Sequence, residues 1–379
     1  MIYFDNAATG GRKPDTVLTA VQSAIRVCAN PGRSGHKLSL SCARLVQETR
    51  NTLNDYFQGS GFDRVIFTKN CTESLNLALL GVLKKGDHVV VSCLEHNSVL
   101  RPLEFLRKSG IITYDVCPLV GNPVGGEGNI SLRTISSLLR PNTRMVILTT
   151  ASNVTGVIPP FSTVRSVLPK DVLLLCDGAQ GCGHLPIQMQ SMGIDLLTIA
   201  GHKGMMGIQG SGALLFSERV DPAPLLFGGT GSISTSLDTP DFYPDALEAG
   251  TLSFPAVLSL LEGARYVFLH EQPIREKLLA FSKKFIDGLK GISDCYTLYS
   301  KPNPCGIVAF SHRYIQSEYV ADILSAQYDI AVRGGLHCAP LAHEALGTLD
   351  NGLVRVSFSA FNHEREIDRL LAALVEMRK

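Results

Sequence analysis

Lys203 stands in Ala200-Gly201-His202-Lys203-Gly204, directly after the apolar run Leu196-Leu197-Thr198-Ile199; Gly207, Gly210 and Gly212 then lead into a second run, Ala213-Leu214-Leu215-Phe216. A lysine delivered by a strand into a glycine-rich turn can approach a flat ligand closely, because glycine removes side-chain bulk and accepts positive φ. An ordinary surface lysine on a turn fits the same residues. The glycines match neither the phosphate loop G-x-x-x-x-G-K-[ST] nor a G-x-G-x-x-G between strand and helix, which argues against nucleotide binding.

A second run, Val172-Leu173-Leu174-Leu175-Cys176, ends at Asp177-Gly178-Ala179-Gln180. A carboxylate at the end of a buried strand is costly unless it meets a cation or donors. It either caps a turn or holds a protonated ring nitrogen. The second role, joined to a lysine, is what pyridoxal 5'-phosphate (PLP) requires: the lysine carries the cofactor and the carboxylate keeps its ring protonated as an electron sink. A phosphate cup is available at Thr68-Lys69-Asn70-Cys71-Thr72-Glu73-Ser74, where a strand gives way to a helix and free N–H groups meet the helix dipole. Thr72 adds a hydroxyl and Cys71 adjoins the cup, although Thr72 or Asn70 as a plain N-cap fits equally. His96, in Glu95-His96-Asn97, sits after another apolar run and is placed either to stack on a flat ring or simply to be hydrogen-bonded.

These residues need elements to hold them. Val65-Ile66-Phe67-Thr68, Val89-Val90-Val91, Met145-Val146-Ile147-Leu148 and the two runs above read as strands apolar on both faces. Helical stretches from Glu73 to Leu83 and Leu132 to Leu139 alternate with them, which predicts a mostly parallel sheet covered by helices. Ligands in such sheets collect beyond the carboxyl ends of the strands. After about residue 252 come helices Val257 to Leu269 and Ile274 to Leu289, expected to be separate because Pro273 lacks a helix-interior N–H. A strand at Ile307 to Phe310, a helix through Tyr319 to Leu324, a strand at Val354 to Phe358 and an amphipathic closing helix, Ile367 to Val375, follow. The expected organisation is a large α/β domain over residues 15–252 and a smaller α+β domain over 253–379 that includes the segment 1–14.

In 379 residues, 35 Lys+Arg against 34 Asp+Glu leave a formal charge of +1, which carries no footprint for nucleic acid or an anionic membrane. No apolar run approaches the roughly 20 residues of a membrane span. The 10 cysteines, at 28, 42, 71, 93, 117, 176, 182, 295, 305 and 338, form no C-x-x-C pair, which removes zinc-ribbon and thioredoxin-like readings. Unclustered thiols in a chain without a signal-like start point to a reducing cytoplasm, with most of them buried as small hydrophobes.

In family order, the motifs are dense enough to resemble the class V aminotransferase group of PLP enzymes, and within it the cysteine desulfurases and selenocysteine lyases. The resemblance runs through Tyr3-Phe4-Asp5-Asn6-Ala7-Ala8-Thr9, Thr72-Glu73-Ser74, Glu95-His96, Ser152-Asn153-Val154-Thr155-Gly156, Asp177-Gly178-Ala179-Gln180 and Gly201-His202-Lys203. It continues through Glu248-Ala249-Gly250-Thr251, Arg333-Gly334-Gly335-Leu336-His337-Cys338-Ala339 and Val354-Arg355-Val356-Ser357-Phe358. It implies a fold-type I PLP-dependent transferase in which Lys203 resembles the Schiff-base lysine, Asp177 the ring-nitrogen partner, Gln180 the donor to the ring oxygen and His96 the stacking histidine. Thr72 and His202 match phosphate ligands. Thr251 matches a threonine that reaches the neighbouring subunit's phosphate, which implies a homodimer. Asn153 and Arg355, with Arg333, look like the groups that receive an amino-acid substrate, for which the planar guanidinium fork suits a carboxylate.

Cys338 resembles the sulfur-accepting cysteine of the second desulfurase group, with His337 and Arg333 as neighbours expected to favour its thiolate; a buried structural thiol is the plainer alternative. The implied activity is removal of sulfur from L-cysteine to give alanine and a persulfide on Cys338, for delivery to an acceptor protein. L-selenocysteine as substrate with selenium passed on, a carbon–sulfur lyase making pyruvate, and a PLP-binding scaffold without turnover are the competing readings. Two positions depart from the pattern: Ala200 lacks a hydroxyl expected on the phosphate, and Leu336 stands where many members carry histidine.

Overall fold

The computed structural model describes residues 1–27, 29–292 and 294–377; Cys28 therefore lies outside the described residues. From the N-terminus the elements are β1 (Ile2–Tyr3), α1 (Asp15–Arg26), α2 (Lys37–Phe57), β2 (Val65–Thr68), α3 (Cys71–Val82), β3 (Asp87–Ser92) and α4 (Asn97–Lys108). Then come β4 (Ile112–Cys117), α5 (Leu132–Leu138), β5 (Thr143–Thr149), β6 (Leu173–Asp177), α6 (Met189–Met192), β7 (Leu196–Ala200) and β8 (Gly212–Phe216). The rest of the chain forms α7 (Phe254–Lys290), β9 (Tyr296–Leu298), β10 (Ile307–His312), α8 (Ser317–Tyr328), β11 (Ile330–Ala331), α9 (Pro340–Leu346), β12 (Val354–Ser357) and α10 (Glu364–Glu376).

The expected α/β sheet is present, in the order β2-β8-β7-β6-β5-β3-β4, and only β8 runs against its neighbours. Its strands are buried on both faces, and the pleat sorts their side chains into two cores. Val146, Leu148, Leu174, Cys176, Leu197 and Ile199 point to one; Ile147, Leu173, Leu175, Leu196 and Ala200 point to the other. Helix α3 supplies Cys71, Leu75, Ala78, Leu79 and Val82 to the second core. This choice of face decides which side chains meet above the strand ends.

The expected break at Pro273 does not occur. Helix α7 is continuous over 37 residues with Pro273 inside it. Proline removes the donor that Leu269 O would have used, but Leu269 is 76% exposed, on the solvent side of the helix, where a carbonyl is open to hydration. The buried side is uninterrupted: Phe254, Val257, Leu260, Leu261 and Ala264 enter the large-domain core, and Ile274, Leu278, Phe281, Phe285 and Leu289 enter the core of the small sheet β12-β10-β9. The N-terminal segment belongs with that second core, since β1 pairs with β11 and Ile2 and Phe4 are buried there. We propose that the two domains divide near residue 252, with α7 as the joint between them.

Edge strand β2 is closed by a buried ion pair. Arg50 and Glu248 meet through two nitrogen–oxygen contacts, at 4% and 6% side-chain exposure. Arg50 also donates to Val65 O, Glu248 accepts from Phe67 N at 2.6 Å, and the guanidinium lies over the Phe67 ring. The pair pins the segment Glu248-Ala249-Gly250-Thr251 to the sheet. Removing one partner leaves the other charge buried and alone, so Arg50→Ala or Glu248→Ala is expected to destabilise the fold by about 3–5 kcal/mol. Urea unfolding of each variant measures it, and losses under about 1 kcal/mol would contradict this account.

Candidate active site

Thr149, Asp177 and Thr198 are register partners across β5, β6 and β7. Partners in parallel strands project to the same face, so Asp177 stands between two threonines on the face covered by α3. It is only 2% exposed. Its Oδ1 accepts from Ala179 N at 2.9 Å and from the Cys71 thiol at 3.4 Å. Gly178 lets the chain turn here: a β-carbon at that position would collide with Cys182 Sγ and Thr198 O.

Asp177 lines a cavity of about 220 Å³ together with Lys203, His96, Asn153, Gln180, His202, Arg333 and Arg355. Lys203 arrives by the turn after β7, fixed where Met206 N bonds Lys203 O. Its Nζ has no hydrogen-bond or ion-pair partner among the described residues, and burial lowers its pKa, with Arg355 and Arg333 pushing the same way against Cys71 and Asp177. Arg355 is 1% exposed, donating to Asn153 O at 2.9 Å and pairing with Asp5 at 2.7 Å, while its Nε and Asn153 Oδ1 are buried without partners. The Arg333 guanidinium has no partner among the described residues. At the first turn of α3, Asn70 caps Glu73 N at 2.9 Å, which leaves the N–H groups of Cys71 and Thr72 unengaged beside the cavity. Thr72 Oγ1 lies 2.8 Å from Ser98 Oγ. The result is a cationic pocket with one embedded carboxylate, open N–H donors at one end and guanidinium groups at the other. It suits a flat ligand with a phosphate and an amino acid with a free carboxylate.

Comparison with known proteins agrees with that chemistry. The family model described as Aminotransferase class-V matches residues 2–370. The chain belongs to the class V aminotransferase family. It is 30% identical to a probable cysteine desulfurase of Pyrococcus abyssi (strain GE5 / Orsay), over 100% of this chain and 94% of that one. It is 31% identical to a probable cysteine desulfurase of Methanothermobacter thermautotrophicus, covering 99% and 94%. The solved apo structure of a cysteine desulfurase from Thermococcus onnurineus NA1 superposes with a TM-score of 0.88 at 30% identity, covering 99% of this chain and 94% of that one.

Within this class V scaffold the expected site residues fall in three places. Most line the central cavity, and Gln180 there donates to Ala7 O at 3.0 Å. Cys338 sits in an adjoining concavity of about 450 Å³ that shares Thr72, His96 and Ser98 with the first. Thr251 lines neither; it is exposed beside Phe67, Lys69 and Glu73. One expectation needs correcting. His337 does not present a cation to Cys338, because burial, with the Arg355 guanidinium, drives its pKa down to about 2. Its Nε2 bonds Arg333 O at 3.2 Å and its ring stacks on His343. The alternative of a buried Cys338 is also excluded: among the described cysteines Cys338 alone is exposed.

Sequence reasoning missed Asp5 as the partner of Arg355, Ser98 as a second hydroxyl beside Thr72, and Glu95 as a buried acid. Asp5 was visible only as a motif letter, because its partner lies 350 positions away. Glu95 is held by Ser92 Oγ and by Thr149 N at 2.7 Å, and burial raises its pKa to about 8.

The site fixes a pH profile. Burial holds His96 and His202 at about 4 and His337 near 2, so below about 6.5 the unfolded chain binds protons that the folded chain does not. Stability therefore rises with pH between about 4 and 6.5, by up to about 1.4 kcal/mol per unit for each histidine. Glu95 acts oppositely, binding its proton in the folded state from about 4.5 to about 8, so stability declines from about 6.5 to 8. Thermal unfolding across pH 4–8 should show that maximum, and Glu95→Gln should flatten the alkaline side. An unchanged alkaline slope in Glu95→Gln would reject the assignment.

Proposed function

We propose that the chain is a PLP-dependent cysteine desulfurase, converting L-cysteine to L-alanine and carrying the sulfur on Cys338. The supporting observation is the joint presence, in and beside one cationic cavity, of an unpartnered Lys203, a buried Asp177 and the exposed Cys338 thiol. Lys203 would carry the cofactor, Asp177 would face its ring nitrogen, His96 its ring face, and Gln180 its ring oxygen. Its phosphate would rest on the N–H groups of Cys71 and Thr72 with the Thr72 hydroxyl and His202. Ser98, 2.8 Å from Thr72 Oγ1, supplies a hydroxyl at the end where Ala200 has none. Bound PLP supplies an electrophilic carbonyl and an electron sink.

The chain's own residues do the rest. Arg355 and Arg333, with Asn153, hold the substrate carboxylate; the free Nε of Arg355 and Oδ1 of Asn153 are buried groups still lacking partners. Lys203, with its pKa lowered, takes the proton from Cα. His96 Nδ1 accepts from Ser98 N at 3.1 Å, so the neutral ring carries its proton on Nε2. The Cys338 thiolate forms a bond to the substrate sulfur as the Cβ–S bond breaks; Cβ takes the proton that the substrate thiol gives up and becomes the methyl of alanine, and Lys203 returns its proton to Cα. Two thiol-level sulfurs become a persulfide while the carbon is reduced, so no outside oxidant is needed. An acceptor thiol then takes the sulfur from Cys338, and Thr251 of each subunit serves the other's phosphate in a homodimer. A free Cys338 thiol at the start of every turnover fits a reducing compartment, and no helix among the described residues is long and apolar enough to cross a membrane.

Reconstituted with PLP and given L-cysteine, the protein should release alanine. Cys338→Ser should bind PLP with the same visible absorbance yet lose at least a hundredfold in alanine formation, and Lys203→Ala should lose borohydride-resistant incorporation of the cofactor. Undiminished alanine from Cys338→Ser would remove the persulfide step, and pyruvate in place of alanine would identify a lyase.

A further inference from the structure

We propose that Cys71 is a positioning residue for Asp177: its thiol occupies Oδ1 and thereby presents Oδ2 to the ring nitrogen of the cofactor. The proposal rests on the PLP reading above. The sulfur lies 3.4 Å from Asp177 Oδ1 and 3.3 Å from Thr198 Oγ1. Asp177 and Thr198 are register partners on β6 and β7, so the thiol at the first residue of α3 spans two adjacent strands. A single S–H can donate only once. The consistent arrangement is Thr198 O–H donating to sulfur and S–H donating to the carboxylate. Burial keeps the thiol protonated by raising its pKa well above the usual value, so it remains a donor.

Oδ1 is then filled from two sides, by Cys71 and by Ala179 N. Oδ2 has no hydrogen-bond partner among the described residues, and Asp177 lines the cavity. Cys71 thus has two separable tasks: its backbone N–H belongs to the phosphate end, while its side chain sets the rotamer of the carboxylate. A thiol is a weak donor. It orients Asp177 at little cost to the carboxylate charge that a protonated ring would meet.

The test separates the two tasks by changing the ring. Equilibrium dialysis of the apo protein compares its affinity for PLP with that for 1-deaza-PLP, in which a carbon replaces the ring nitrogen and Asp177 has nothing to bind. The wild type should prefer PLP. Cys71→Ala, and the nearly isosteric Cys71→Val, should each cut that preference about fivefold through loss of one weak hydrogen bond, with little effect on 1-deaza-PLP. Cys71→Ser keeps a donor in place and should restore the preference to within about twofold of wild type. Equal weakening for both rings would place Cys71 in the phosphate cup alone, and an unchanged preference would show that its thiol does not act on Asp177; either overturns the proposal. Failure of wild-type protein to bind either ring would instead overturn the cofactor reading, and this proposal with it.

Discussion

Burying the carboxylate of Asp177 in the centre of a seven-stranded sheet is the constraint that organises this molecule. An unpaired buried charge costs several kcal/mol, a large part of the roughly 5–15 kcal/mol by which a domain is stable. The surroundings are built to meet that cost. Ala179 N and the Cys71 thiol fill one oxygen, and the guanidinium groups of Arg333 and Arg355 line the same cavity. Gly178 and Gly181 let the following turn fold tightly, since a β-carbon at Gly181 would strike the Thr150 side chain. That turn returns Gln180 to the cavity. The alternation along β6 puts Asp177 on the face of Leu173 and Leu175, which α3 covers, so the helix that packs this core also brings its N-terminus to the carboxylate.

The opposite wall answers a second buried charge in the same way, but with residues from distant parts of the chain. Arg355 comes from β12, its carboxylate partner Asp5 from the N-terminal segment, and its carbonyl partner from Asn153. The Phe4 carbonyl bonds to Ser357 N at 2.7 Å, and an isolated parallel bridge joins Asp5 to Ser357. This wall exists only when the N-terminal segment lies along β12 and β12 meets the segment bearing Asn153. Asp5 offsets only part of the positive charge, and the remaining excess has a consequence inside the site. It adds to burial, the larger cause, in lowering the proton affinity of Lys203, His96 and His337.

What could be read in advance followed the range of the interactions involved. The strands of the large sheet were legible because continuous apolar runs between turn residues have few other uses, and a carboxylate or lysine ending such a run stands out. Thr72, His96, Asp177 and Lys203 share one feature, the end of a strand or start of a helix, which a single segment reveals. Arg355 and Asn153 were legible only through the family resemblance, since nothing local marks them. Asp5, Ser98 and the clamp of Arg50 on Glu248 depend on contacts between distant segments, for which one sequence holds no periodic signal. Pro273 misled because proline breaks a helix only where the lost donor cannot be replaced, and that depends on which side of α7 faces water.

The loop bearing Cys338 shows how a thiol can be placed beside a cavity without being enclosed. His337 and Cys338 both have left-handed backbone, φ 52° and 57°, at a cost of roughly 1–2 kcal/mol for each residue that is not glycine. Ala339 N bonds Leu336 O at 3.0 Å across this turn, and two donors from outside it reach its main-chain carbonyls: Asn153 Nδ2 to His337 O at 2.8 Å and Asn97 N to Cys338 O at 2.7 Å. Of these two outside donors, one belongs to the cavity wall and the other to the first residue of α4, beside His96. The position of the loop is therefore set by the same elements that build the cavity, and the side chain at 338 takes no part in holding it. Cys338 is left exposed in the concavity beside the central cavity, which is the placement the proposed sulfur transfer needs.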